Sequence, residues 1–365
     1  RTKKHALIDI IVIAICAVIS GATSWVSIAD FGEAKQEWFS LFLDLKNGIP
    51  SHDTFRRLFI ILRPESFFEI FKTWVKVVTN DADLEQICID GKSLRATFEK
   101  GKKCSTIHMV NAWSTGLGLA LGQLKTDSKS NEITAIPELL DSLDIKGTII
   151  STDAMGCQKK IAKKIVSKEA DYLLALKGNQ EKLEERVKEK FLETNRPGPK
   201  VVNIDTFKTI DKNSHGRKET RNCKVLSAKE GKTLGVNVLN QWENLNSLIE
   251  VKNSRIILKT GEVSEETHYF ISSAKMSAEE FLKATRSHWE VENKLHWVLD
   301  VVFREDECSI VAGYSAQNFS MLRQFALNLI KLEPSKKSIK RKQKLAGWSD
   351  AFLMKIIAGG RYLDA

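Results

Sequence analysis

The spacing of apolar residues changes character near residue 84, and that change restricts the possible folds more than any other feature of the chain. Before it, apolar residues recur at helical intervals: Trp25, Ile28 and Phe31, then Trp38, Phe39, Leu41 and Phe42, then Phe55, Leu58, Phe59 and Leu62. Pro50 and Ser51 open the last of these stretches, with Ser51 placed to cap it and Asp53 suited to the positive end of the helix dipole. After residue 84 come short strand-type runs over 86–90, 105–113 and 118–125, the last two joined by a Ser-Thr-Gly turn. A helix over 132–143, a buried-type strand over 147–153, a helix over 161–166, a strand over 171–176 and a charged helix over 180–191 follow. Antiparallel-type strands followed by alternating helix and strand predict an α/β fold with a mixed sheet.

Pro197 and Pro199 interrupt this order, and residues 200–275 hold short β-like pieces that read as a β-rich insertion. Helix returns at Ser277, where Ser277-Ala-Glu-Glu280 forms a capping box at the head of a long helix reaching about residue 302. Another helix covers 316–332. The expected regions are a helical N-terminal domain (1–80), the first part of the core (84–196), the insertion (197–275), C-terminal helices of the core (276–332) and a basic tail (333–365).

The apolar run over 10–19 lies behind the basic start Arg1-Thr2-Lys3-Lys4, as in a signal peptide. It is too short to cross a bilayer and reads as a buried core helix, so no membrane partner is expected. Six cysteines are scattered singly with no C-x-x-C pair, which argues against a zinc ribbon and for a reducing cytoplasm. The net charge of +10 points to a polyanion partner.

Two carboxylates, Asp90 and Asp153, end separate buried-type strands, where a metal ligand is held with little freedom. Cations sit close by: Lys92 and Arg95 after the first, Lys159, Lys160, Lys163 and Lys164 after the second. A third carboxylate is wanted on a helix against that sheet, and the helix from Ser277 carries His288, Glu292 and His296 at i, i+4 and i+8, on one stripe. Three carboxylates suit Mg²⁺ or Mn²⁺, and two such ions can activate an attacking oxygen and steady a leaving one at a phosphodiester. The same stripe leaves a second reading open, a hydrolase with a zinc site at His288, Glu292 and His296.

Several longer stretches run in a fixed order: residues 32–45 with Asn47-Gly-Ile-Pro-Ser-His-Asp-Thr54, Ile89-Asp-Gly-Lys-Ser-Leu-Arg95, Lys129-Ser-Asn-Glu-Ile-Thr-Ala-Ile-Pro137, Asp153-Ala-Met-Gly-Cys-Gln158, Asp171-Tyr-Leu-Leu-Ala-Leu-Lys-Gly-Asn-Gln180, His215-Gly-Arg-Lys-Glu-Thr-Arg221 and His288-Trp-Glu-Val-Glu-Asn-Lys-Leu-His-Trp297. Together they resemble insertion-sequence DDE transposases of the H-repeat-associated type, over nearly the whole chain. The resemblance implies an RNase H-like core, a DDE triad of Asp90, Asp153 and Glu292, and cleavage and joining of DNA at the ends of an insertion sequence. Glu292 rather than Glu290 follows from the His-Trp-x-Val-Glu frame, in which His288 stands where relatives carry an Arg near DNA phosphate. The relatives' motif Tyr and Lys fall on Thr285 and Leu299, so those two roles are filled differently here.

The DNA contacts expected are Lys92, Arg95, Lys177, Asn179, Arg217, Arg221, His288, Trp289 and Asn293. Arg217, Glu219 and Arg221 share a strand face, which suits either a cross-strand ion network or phosphate. Trp289 and Trp242 suit either stacking on a displaced base or the core. The partner would be double-stranded DNA, element ends and target alike, bound by a homodimer in a bacterial cytoplasm at the nucleoid. One departure stands out: Glu307-Cys-Ser-Ile-Val-Ala312 is uncharged apart from Glu307, where the family usually shows a basic stretch. It motivates an alternative, a catalytically silent DNA-binding descendant.

Overall fold

The computed structural model describes residues 4–79, 84–94, 107–126, 132–194, 203–214, 216–229, 234 and 236–359. The helical periodicity of the N-terminal part becomes α1 (Leu7–Ile19), α2 (Trp25–Ala34), the short α3 (Gln36–Phe39), α4 (His52–Ile61) and α5 (Pro64–Thr79). From Asp9 to Ile19 every residue of α1 except Val12 is buried, so beyond its exposed first two residues this helix has no solvent face and forms the centre of a helical layer. Each buried Ile or Val there contributes about 1.5–3 kcal/mol. Ser51 does stand at the start of α4, but its hydroxyl meets Thr54 Oγ1 at 3.1 Å instead of capping a backbone amide.

Nine strands form one sheet in the order β3-β2-β1-β4-β5-β9-β8-β7-β6. β1 (Gln86–Leu94), β2 (Ile107–Ser114) and β3 (Leu119–Thr126) are antiparallel neighbours, while β4 (Ile149–Thr152) and β5 (Asp171–Leu176) run parallel to β1. Between them lie α6 (Glu132–Asp141) and α7 (Lys159–Ser167), with α8 (Glu181–Thr194) following β5. β6 (Ile204–Ser214), β7 (Arg217–Ser227), the short α9 (Val236–Leu239), β8 (Ser247–Ile257) and β9 (Val263–Ser272) make up the insertion. Its strands do not form a sheet of their own: β9 pairs with β5, and the insertion extends the core sheet by four strands. The two β-like pieces around residue 253 are one continuous strand, β8.

The helix expected to run from Ser277 to about residue 302 is three segments. α10 (Ala278–His288) starts with the predicted capping box, in which Ser277 Oγ accepts from Glu280 N and Glu280 Oε2 accepts from Ser277 N. A π-helix (Val291–His296) and α11 (Trp297–Val301) follow. The apolar face of α10, with Phe281 fully buried, lies on the insertion strands in a small core of its own.

α12 (Ser315–Leu332) packs on both α1 and β3 and joins the helical layer to the sheet. Trp25 stacks on Phe59 at 5.0 Å and meets Phe319 edge-on, and Trp74 stacks on Phe325 at 4.5 Å. Asn318 Nδ2 donates to the carbonyls of Phe59 and Leu62, satisfying the end of α4. The expected basic tail is folded over most of its length as α13 (Ile339–Trp348) and α14 (Asp350–Ile357), both packed on α1 and α12. Ala346, Leu353 and Ile356 are buried beneath it, Lys336, Lys340, Lys344 and Lys355 are exposed, and Lys342 turns inward to pair with Glu333.

Candidate active site

Asp90, Asp153 and Glu292 line one cleft of about 660 Å³ between the core strands, the insertion and α10. Asp90 does not end its strand, as the sequence suggests; β1 runs on to Leu94 and holds Asp90 mid-strand, opposite Asn111 of β2. Asp153 follows the last residue of β4, and its Oδ1 accepts from the amides of Met155 at 3.0 Å and Gly156 at 3.2 Å. That turn fixes the carboxylate at the mouth of the parallel strands. Glu292 is exposed on the π-helix. A π-helix is rare and costs backbone geometry, and such segments recur at functional sites.

Asp90 feels its surroundings. Burial, then the like charges of Asp153, Glu292 and Glu132, push Asp90 from 3.8 up to about 7. Glu132, at the start of α6, is a carboxylate the sequence reading did not single out. It packs on Gly91, where a Cβ would collide with its carboxylate, so the bare backbone after Asp90 makes room for this acid.

The two histidines are separated by their surroundings. His288 Nδ1 lies 2.9 Å from Ser151 Oγ, whereas His296 lies 3.4 Å from Asp90 Oδ2 and 3.3 Å from Asn111 Nδ2. Burial lowers both to about 4, so both are neutral at physiological pH. The i, i+4, i+8 stripe of an uninterrupted α-helix therefore does not form, and the zinc-hydrolase reading loses its ligand set. Among the described residues, no three His, Cys, Asp or Glu side chains stand close enough together to hold a metal ion.

The expected DNA contacts divide. Lys177, Arg221, His288, Trp289 and Asn293 line the cleft, joined by Arg255 and Arg286, which the sequence reading missed. Arg286 lay two residues before the quoted His288 stretch, and only its place on α10 reveals its direction. Trp289 is 55% exposed at the rim, whereas Trp242 is buried in the core. Lys92, Asn179 and Arg217 do not line the cleft. Lys92 is buried and ion-paired with Asp300 at 2.5 Å and Glu305 at 2.6 Å, so its charge is spent inside the protein. Asn179 Nδ2 donates to the carbonyl of Ala154, which holds the turn after Asp153. Arg217 is exposed at the start of β7. Arg221 shares its charge with Asp211 and Glu219, and Glu219 also meets Arg255 across the strands at 3.2 Å, so the Glu219–Arg221 part of the ladder belongs to an ion network. Arg95 lies outside the described residues.

A family model described as "Transposase DDE domain" matches residues 81–329, and one described as "DDE_Tnp_1-associated" matches residues 1–75. The chain belongs to the DDE transposase family. It is 42% identical over 361 residues to the H repeat-associated putative transposase YhhI of Escherichia coli (strain K12), covering 98% of this chain and 93% of that one. Over 54 residues, 15% of this chain and 64% of the other, it is 50% identical to the inactive transposase YbfQ of the same organism. Among solved structures, a piggyBac transposase synaptic complex with hairpin DNA aligns with 95% of this chain and 72% of its own, at TM-score 0.42 and 11% identity, too distant to bear on the fold. No helix among the described residues is long and apolar enough to cross a membrane.

Proposed function

We propose that this chain cleaves and joins phosphodiester bonds at the ends of its insertion sequence, with Asp90, Asp153 and Glu292 as the catalytic acids. The observation that carries this reading is their shared cleft: three carboxylates remote in sequence, of which Asp90 is raised to about 7 by burial first and then by the like charges beside it. Such a set favours added positive charge, and an all-oxygen donor set fits Mg²⁺ or Mn²⁺. As placed, the three acids do not gather closely enough to hold an ion; ion binding would draw Asp90, Asp153 and Glu292 together, and the ions would activate the attacking oxygen and neutralise charge at the leaving one. An RNase H-like core is part of the proposal, supported by the strand order β3-β2-β1-β4-β5 in which β2 alone runs against the other four.

Around the acids, the chain supplies phosphate contacts. Lys177 and Arg286 are exposed at the cleft and would neutralise the DNA backbone, which sets register without reading sequence. His288 would meet phosphate as a neutral N–H donor. Trp289 offers an exposed ring on which an unpaired base can stack. Double-stranded DNA, both element end and target, is the partner, and a homodimer would pair two ends at the nucleoid.

Incubation of the protein with end-containing DNA and Mg²⁺ tests the reading. Cleavage is expected, with loss of it in Asp90→Ala, Asp153→Ala and Glu292→Ala; cleavage unchanged in all three ends the assignment. The uncharged segment Cys-Ser-Ile-Val-Ala after Glu307 favours a second reading, a silent descendant that binds DNA without cutting. Salt-sensitive binding with no nicking under Mg²⁺ or Mn²⁺ would support that one.

A further inference from the structure

Asp90, Asn111 and Gln123 stand side by side on three neighbouring strands, Asp90 paired in register with Asn111 and Asn111 with Gln123. Paired residues share a sheet face, so a polar row crosses the sheet beneath the π-helix and α12. Asn111, Gln123, Ser320 and Gln324 each keep 2% or less of their exposure. Burying four polar side chains is costly unless they are bonded, and a bonded network of this kind fixes geometry.

The bonds run in one direction. Gln324 Nε2 donates to Asn111 Oδ1 at 2.6 Å and to Gln123 Oε1 at 2.8 Å, and Ser320 Oγ donates to Gln123 Oε1 at 3.1 Å. With its oxygen taken, Asn111 presents its amide nitrogen to His296 Nε2 at 3.3 Å. A donor aimed at Nε2 makes that nitrogen the acceptor, so the proton of the neutral ring sits on Nδ1. Nδ1 in turn faces Asp90 Oδ2 at 3.4 Å. A second rung lies alongside, where Lys92 meets Asp300 at 2.5 Å. Positions two apart on a strand and four apart on a helix each share a face and repeat at about 6 Å, so the two rungs match and hold the helical segment in register on β1.

We propose that His296 is a positioning residue for Asp90. Held as its Nδ1–H tautomer by Asn111 and Gln324, it orients the Asp90 carboxylate and fixes the segment carrying Glu292 over β1. The proposal rests on the reading of Asp90 as a metal ligand. A neutral donor suits the task because it bonds one carboxylate oxygen without adding positive charge that would oppose a divalent ion.

The test uses the full chain. Long-range ¹H–¹⁵N spectra of the metal-free protein read the ring directly, with the His296 signal identified by its loss in His296→Asn, and the Nδ1–H pattern is expected. Titration with Mn²⁺ alone then compares His296→Asn, which keeps an N–H donor beside Asp90, with His296→Leu, which removes it. His296→Leu is expected to weaken Mn²⁺ binding about 10- to 100-fold, and His296→Asn to recover most of that loss at the same melting temperature. An Nε2–H spectrum, or equal Mn²⁺ affinity in the two variants, overturns the proposal. Wild-type protein that binds no Mn²⁺ overturns the metal reading of Asp90 itself, and is told apart because no variant is needed to see it.

Discussion

Asp90 carries a conflict that a titration exposes. Its pKa in the folded chain is about 7 against an ordinary value of 3.8, so the folded state keeps this proton longer than the unfolded state does. Stability of the metal-free protein therefore falls as pH rises from about 4 to about 7, by a contribution on the order of 4 kcal/mol at most. Asp90→Asn is expected to melt higher than wild type at pH 8 without metal, to match it at pH 4, and to lose any stabilisation by Mg²⁺. Equal melting at pH 8 would show that neither burial nor the neighbouring acids weigh on the Asp90 charge. Lys92 makes the opposite case: Lys92→Met strands Asp300 and the buried Glu305, and a loss of about 3–5 kcal/mol in urea unfolding is expected. At this scale the sharing of one cleft by Asp90, Asp153 and Glu292 was legible, because the sequence stretches that carry them run in a fixed order. The spending of Lys92 inside the protein was not, since its partners lie more than two hundred residues downstream.

The segment after His288 shows what local periodicity hides. An amphipathic pattern specifies which residues face the core, but a π-helix and an α-helix satisfy nearly the same pattern over six residues. The stripe drawn for an α-helix put His288, Glu292 and His296 on one line, whereas the wider turn sends the two histidines to different neighbours. Deleting Asn293 should let this segment close into an α-helix and swing His296 by about 100° away from Asp90. The expected outcome is lost DNA cleavage and weakened Mn²⁺ binding with an unchanged far-UV circular dichroism spectrum. Cleavage at the wild-type rate would show that the wide turn is incidental. The capping box at Ser277, by contrast, was fully readable, because all of its partners lie within four residues.

Across the whole molecule, the net charge of +10 is a poor guide to where DNA would lie, because many basic side chains are consumed internally. The exposed Lys177 and Arg286 at the cleft are a better guide. Lys177→Ala and Arg286→Ala are each expected to reduce the slope of log affinity against log salt by about 0.9 while leaving sequence preference unchanged. Fluorescence anisotropy between 50 and 200 mM salt measures this, and unaltered slopes would move the DNA elsewhere. The β character of residues 200–275 was readable in the sequence, yet the merger of their strands with the rest of the sheet was not, because strand pairing between β5 and β9 joins positions about a hundred residues apart. The placement of α1 has a consequence for synthesis. This helix, enclosed from Asp9 onward, is covered in part by α12, α13 and α14, which follow it in the chain by about three hundred residues. On the ribosome the side of α1 that meets them stays bare until they emerge, so a message cut short before residue 315 yields a sticky fragment for chaperones and proteases to remove.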